Sequence, residues 1–92
     1  MSPYRIRGES GILHELEDVR LNGDGKISYM LHKPTAAGIE NPEVALLQAR
    51  IKAIDLAGML AEDAVIEVIV PYVNEEVKKL AAEYGMRIRM KE

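Results

Sequence analysis

The sequence contains no cysteine, no phenylalanine and no tryptophan. Without cysteine, the chain can form neither a disulfide framework nor a metal site with thiolate ligands. Without Phe and Trp, its core has to be aliphatic, with five Met and four Tyr residues as the larger side chains. The lack of cysteine also fits a reducing compartment, so we expect a cytoplasmic protein.

Long apolar runs are missing as well. No segment approaches the roughly 20 apolar residues that a membrane span requires, so we expect no membrane association. The opening residues MSPYRIRG have no apolar core of a signal peptide, and we expect no secretory signal. Few Asn and Gln beside many Glu, Lys and Arg point toward a thermophilic source.

The composition is that of a single folded domain. The 92 residues are 48% hydrophobic and 29% charged, a balance that argues against a disordered chain. The length suffices for one modest core, so we predict one domain over residues 1–92. The net charge of −3 argues against binding nucleic acid by bulk positive charge.

The first third of the chain has strand character. Tyr4–Arg7 alternates apolar and basic residues. Residues 12–21 fit a helical face, and they also fit a strand if a bulge just after Leu16 turns this side chain inward. We prefer the strand because the hairpin signal Asn-Gly-Asp-Gly follows at 22–25, and residues 26–32 alternate again.

The rest of the chain alternates helices and strands. A loop at 34–40 leads to a helix at 41–61, which is followed by a strand at 65–70 that is buried on both faces. A second helix at 74–85 and a one-sided strand at 86–90 complete the chain. The order β-β-β-α-β-α-β predicts an α/β or α+β fold, with a mixed sheet, both helices on one face, an N-terminal hairpin and a C-terminal βαβ unit.

The long helix carries two apolar stripes. One stripe consists of Val44, Leu47, Ile51, Ile54 and Gly58. The second is rich in Ala and consists of Leu46, Ala49, Ala53, Leu56, Ala57 and Leu60. Because one sheet covers only one stripe, we predict that the second is the interface of a homodimer. The alternative is that the first strand or the 34–40 loop folds over it.

The turn at 22–25 is similar to the middle of an EF-hand calcium loop. If Gly25 is the sixth loop residue, the first is Arg20 and the twelfth is Leu31. Calcium needs carboxylate oxygens at both of these positions. We therefore predict a plain hairpin turn that binds no calcium.

His14, Glu15 and His32 are the candidate metal ligands. In the register that a four-residue turn sets, Glu15 faces His32 and His14 faces Lys33, which makes an ordinary surface pair. A zinc site needs three or four converging ligands, and a register shift by one residue would bring the two His together. We predict no metal and no cofactor, with the shifted register as the alternative.

Arginines alternate along both terminal strands, at Arg5, Arg7, Arg87 and Arg89. If the two strands lie side by side, four guanidinium groups share one face and could bind an anion or nucleic acid. A solvated or ion-paired face is the preferred interpretation, since no aromatic residue alternates with them for base stacking.

Glu67 is a carboxylate inside the otherwise apolar strand 65–70. It is an active-site acid, the partner of an arginine on a neighbouring strand, or a residue at a solvent-exposed edge, and a structural role is preferred. The element order is similar to that of restriction-endonuclease-like cores, which carry an Asp and then Glu-x-Lys on adjacent strands. Residues 26–33 contain no acid, so we assign no family.

Three functions remain after these arguments. The first is a non-enzymatic interaction module that acts as a homo-oligomer or binds a protein partner. The second is an anion or nucleic-acid binder that uses the arginine strands. The third is a small enzyme with a degenerate nuclease-like fold.

Overall fold

A computed structural model describes residues 4–91 of the chain. Its strands are β1 (Tyr4–Arg7), β2 (Leu13–Leu16), β3 (Asp18–Leu21), β4 (Ile27–His32), β5 (Leu60–Val70) and β6 (Arg87–Met90). Its helices are α1 (Pro42–Asp55) and α2 (Glu75–Tyr84), with short 3₁₀ helices at Ala36–Ile39 and Ala57–Met59. This is the mixed α/β order that the sequence predicts.

The strands form two sheets. β1 and β2 make an antiparallel pair, and the other four strands make a sheet in the order β3-β4-β5-β6. β3 and β4 are antiparallel, whereas β4, β5 and β6 run parallel. The predicted hairpin and the parallel β5-α2-β6 unit are therefore confirmed.

The ambiguous segment 12–21 is a bent strand rather than a helix. The bend lies at Glu17, the residue that separates β2 from β3. Its backbone N–H donates to the Leu31 carbonyl at 2.9 Å. The bend turns both Leu16 and Val19 toward the interior, as the predicted bulge requires. Leu13 stays exposed.

The predicted register of this hairpin is wrong. β2 leaves the main sheet at the bend and pairs with β1, so that Glu15 lies opposite Arg5 and His14 lies opposite Ile6. Neither Glu15 nor His14 therefore faces β4. Within the hairpin itself a register shift between Arg20 and Leu21 moves the pairing by one residue.

The turn at 22–25 is closed by its own backbone. The Asn22 N–H donates to the Lys26 carbonyl at 2.7 Å, and the Asp24 carboxylate accepts from the Lys26 N–H at 3.0 Å. Gly25 adopts φ of 84°, a left-handed conformation that glycine tolerates best. The Asp24 side chain is thus used within the turn.

α1 begins as predicted and ends earlier than predicted. The Asn41 side chain caps it by accepting from the N–H groups of Glu43 (3.0 Å) and Val44 (3.4 Å). The helix ends at Asp55 instead of residue 61, because Gly58 weakens any further turn and Leu60 already pairs with β4.

The Ala-rich stripe of α1 faces the core, which contradicts the predicted dimer interface. Leu46, Ala49 and Leu56 have no exposed surface, and Ala53 packs against both core clusters. The small Ala side chains let α1 approach β5 and α2 closely. The Ala-rich stripe therefore packs on the sheet, and the other stripe does not. Of the remaining predicted interface residues, Ala57 is exposed beyond the end of α1, and Leu60 opens β5.

Both helices cover the same face of the four-stranded sheet. α2 is capped by Asn74, ends at Gly85 with φ of 68°, and buries Val77 against Val68 in the same core as α1. The other face of β5, which carries Glu67, is half-buried, so β5 is not covered on both sides as predicted. None of the helices in residues 4–91 is long and apolar enough to cross a membrane.

Candidate functional site

A cavity of about 320 Å³ lies between α1 and β2, and we call it the α1–β2 pocket. It is lined by Leu13, His14, Glu15, His32, Thr35, Gln48, Ile51 and Lys52. Its volume is at the lower end of the range of small-molecule sites. The polar groups come from α1, β2 and β4 and from Thr35 in the loop after β4.

Gln48 determines which ring nitrogen of His32 carries the proton. The Gln48 Oε1 accepts from the Thr35 N–H at 3.1 Å, and its Nε2 donates to the Thr35 carbonyl at 2.9 Å, so the amide has one orientation. The same Oε1 lies 3.3 Å from His32 Nε2. His32 Nε2 therefore carries the proton, and Nδ1 is an acceptor.

The Lys52 amine lies beside Nδ1, the acceptor nitrogen of His32. Its Nζ lies 2.9 Å from His32 Nδ1 and donates to the Glu15 carbonyl at 2.5 Å. Burial and the Lys52 charge lower the pKa of His32 to about 4, so the imidazole is neutral at pH 7. Burial also lowers the pKa of Lys52 below its ordinary value.

Asp55 fastens the β1–β2 hairpin to the end of α1. Its Oδ1 accepts from the Ser10 N–H at 2.8 Å, and its Oδ2 accepts from the Ser10 hydroxyl at 2.7 Å and lies 2.6 Å from His14 Nε2. Hydrogen bonds from His14 and Ser10 lower the Asp55 pKa to about 2. These hydrogen bonds between Asp55, Ser10 and His14 form what we call the Asp55 clasp. A β-carbon at Gly8 would overlap the Asp55 carboxylate, so the clasp requires glycine at this position.

The candidate metal ligands share the α1–β2 pocket but have other partners. His14 contacts Asp55, His32 contacts Lys52 and Gln48, and the Glu15 carboxylate pairs with Arg5 at 3.1 Å. Within residues 4–91, no three His, Cys, Asp or Glu side chains are grouped for a metal ion.

The four arginines do not share a face. β1 belongs to the two-stranded sheet and β6 is the edge of the other sheet, so the juxtaposition on which the anion site depended is wrong. Arg7 donates to the Gly11 carbonyl at 2.6 Å, and Arg89 pairs with Glu67 at 2.8 Å. Arg87 lies two residues from Arg89 on β6, in a different sheet from β1.

Glu67 joins three strands on the helix-free face of the sheet. It accepts from Arg89 at 2.8 Å and from the Tyr29 hydroxyl at 2.6 Å. Burial and the bond to Glu67 raise the pKa of Tyr29 to about 12. The Arg20 guanidinium lies 5.0 Å from the centre of the Tyr29 ring. Glu67 thus pairs with an arginine of the neighbouring strand, as the structural interpretation requires.

The sequence interpretation missed Gln48, Lys52 and Asp55 as site residues. Their spacing of four and three residues places them on one flank of α1, between its two apolar stripes. This spacing could have indicated the site, because polar side chains that lie between two apolar stripes need hydrogen-bonding partners. The partners Ser10 and Thr35 lie in loops, where no periodicity marks them.

Comparison with known proteins returns no significant match to a family model, a curated protein or a solved structure.

Proposed function

We propose that the chain is an interaction module that forms a homodimer through the exposed apolar side of α1. The observation that carries this proposal is the exposure of Leu47, Ile51 and Ile54, which we call the outer stripe. These side chains are 47%, 57% and 64% exposed and lie along one side of the helix. A continuous apolar patch of this kind is typical of an interface.

The hairpin extends the outer stripe. Ile12 is 61% exposed and lines a groove of about 490 Å³ together with Ile51, Ile54 and Asp55. Leu13 borders Ile51 in the neighbouring α1–β2 pocket. The Asp55 clasp holds the hairpin beside α1, so the two elements contribute to one apolar surface.

The charges beside the outer stripe favour a second copy as the partner. Glu43 and Arg50 are seven residues apart, which is about two helical turns, so they lie on the same flank of α1. Leu47 lies midway between them. If two α1 helices cross antiparallel at Leu47 about a two-fold axis, Glu43 of each copy meets Arg50 of the other.

Sedimentation equilibrium tests the association. We expect the wild type to have the mass of two chains at high micromolar concentration, and the variant Ile51→Glu with Ile54→Glu to have the mass of one. The control is Leu21→Glu, an exposed apolar residue at the end of β3, which should remain dimeric. A wild-type mass of one chain contradicts the proposal.

Charge exchange tests the antiparallel arrangement. Glu43→Lys alone should weaken the dimer, because it places the new ammonium group of one copy against Arg50 of the other. Glu43→Lys combined with Arg50→Glu should restore the dimer. A double variant that dimerises no better than the single one contradicts this geometry.

Cross-linking gives an independent measurement, since the chain has no cysteine of its own. Leu47→Cys should form an intermolecular disulfide on mild oxidation, because the axis brings the two copies of this residue together. Leu21→Cys, the matched control, should remain a free thiol under the same conditions.

A further inference from the structure

The hydrogen bonds of the Lys52 amine leave one of the bonding directions of its tetrahedral nitrogen unused. It makes two contacts with acceptors, the Glu15 carbonyl and His32 Nδ1. A neutral amine has two N–H groups and one lone pair, so it satisfies both acceptors with its lone pair still free. Loss of the third proton therefore costs neither hydrogen bond.

The surroundings of Lys52 favour the neutral amine. His32 is 1% exposed and neutral, so it accepts a hydrogen bond without offering a counter-charge. The Glu15 carboxylate acts on Lys52 from a distance and opposes the lowering of its pKa, while burial outweighs it. This is the environment in which buried lysines serve as nucleophiles.

Two cavities give access to this amine. Lys52 borders the α1–β2 pocket and also a cavity of about 530 Å³ that shares Glu15 and Thr35 with it. Leu13 and Ile51 give the α1–β2 pocket an apolar wall. The larger cavity is also lined by Glu15, Glu17 and Lys33, and its two carboxylates oppose the binding of anions.

We propose that Lys52 is a nucleophilic amine that forms an imine with small aldehydes bound in the α1–β2 pocket. The Nζ lone pair forms a bond to the carbonyl carbon, giving a carbinolamine. The carbonyl oxygen then leaves as water together with the two amine protons, and a C=N bond remains. The reaction consumes no oxidant or reductant. His32 and the Glu15 carbonyl orient the amine before the attack.

This site shares Ile51 with the outer stripe, but its chemistry does not require the proposed dimer. Its reactive group lies on the flank of α1 rather than in the outer stripe, and the reaction needs one chain. Loss of dimerisation in the Ile51 and Ile54 variants would leave the proposal on Lys52 in place, since wild-type chain is used to test it.

Reductive trapping tests the amine in the wild-type protein. Propanal and cyanoborohydride are added near pH 7, and peptide mass spectrometry measures propylation at each lysine over time. We expect propylation to be faster at Lys52 than at Lys78, because a lowered pKa leaves a larger fraction of free amine near pH 7. Lys78, with an exposed side chain, is the internal control. If Lys52 reacts no faster than Lys78, the proposal is wrong.

The pH dependence gives a second readout. The other titratable groups that line the two cavities beside Lys52 are His14, His32, Glu15, Glu17 and Lys33. We expect the propylation rate of Lys52 to rise at lower pH than that of Lys78. Coincident profiles for the two lysines would overturn the proposal.

Removal of one carboxylate sharpens this comparison. Glu15→Gln keeps the backbone carbonyl that binds Lys52 and removes the charge that favours its protonated form. This variant should therefore propylate Lys52 faster than the wild type does. Glu75→Gln, which removes the partner of Lys78, is the matched control and should leave the Lys52 rate unchanged. A Lys52 rate that Glu15→Gln does not raise contradicts the electrostatic part of the proposal.

Discussion

Gln48 shows how one side chain determines the state of several others. Its amide is held by both backbone groups of Thr35, and this orientation leaves His32 with one tautomer and Lys52 with a neutral acceptor. An isolated imidazole at this depth would lose the hydrogen bonds of water, and here Gln48 and Lys52 replace them. The cost of the arrangement is that His32 cannot easily be protonated.

His32 should make the stability of the protein depend on pH. In the unfolded chain its pKa is the ordinary 6.5, and in the folded protein it is about 4. Between these values the unfolded state binds more protons, so the free energy of unfolding falls as the pH falls from about 6.5 to about 4. This difference between the two pKa values corresponds to a change of roughly 3 kcal/mol in the free energy of unfolding. Urea unfolding over this pH range measures it.

The control for this prediction is His32→Gln, which has no titrating ring at this position. The dependence of its unfolding free energy on pH should be flatter than that of the wild type in the same window. Because His14 is present in both proteins, the difference between the two curves isolates His32. Parallel curves would contradict the prediction.

At the scale of the element, α1 shows why a helix with two apolar sides misleads a sequence interpretation. Both stripes have suitable spacing, and the larger side chains of Leu47, Ile51 and Ile54 suggest the core. The sheet is instead covered by the Ala-rich side, where Ala45 and Ala49 have no exposed surface. Close approach to β5 and α2 decides the orientation, and hydrophobicity alone does not.

Adjacent leucines on α1 test this orientation. Leu46→Ala should lower the free energy of unfolding by about 2–5 kcal/mol, because it empties a filled core position. Leu47→Ala should change it by no more than about 0.5 kcal/mol in dilute monomeric protein. Urea unfolding of both variants provides the comparison. Equal losses, or a larger loss for Leu47→Ala, would contradict the observed orientation.

At the scale of the molecule, the fold has a main body and a hairpin attached to it. β1 and β2 pair with each other and not with the four-stranded sheet. The hairpin is held by the chain at Glu17, by Leu16 and Ile6 in the second core cluster, and by Asp55 and Lys52 of α1, which bond to the hairpin. Its attachment therefore combines core packing with polar contacts to the C-terminal half of α1.

Asp55→Asn should loosen the hairpin selectively. The variant removes the negative charge that Ser10 and His14 bind, so the amides of β1 and β2 should exchange their hydrogens faster than in the wild type. Amides of β5 should keep their protection. Hydrogen exchange followed by NMR or mass spectrometry measures both. Uniform acceleration, or none at all, would contradict the attachment through Asp55.

Much of this fold follows from local signals in the sequence. The caps at Asn41 and Asn74, the glycine at residue 25 and the β-branched run of β5 each indicate their element. The pairing of β2 with β1 was not predictable, because the sequence indicates the bend near Glu17 but not the position of β1. The α1–β2 pocket was not predictable either, since it needs β2, β4 and α1 in one place.

The parallel order of β4 and β5 has a consequence for how the chain is made. α1 connects these strands, so it leaves the ribosome before β5, the strand that covers its inner side. During that interval the outer stripe is exposed, and Ala45, Leu46 and Ala49 lack the core partners that β5 and α2 supply in the folded protein. Such segments are prone to aggregation, so the period before β5 emerges is when this chain most needs a chaperone.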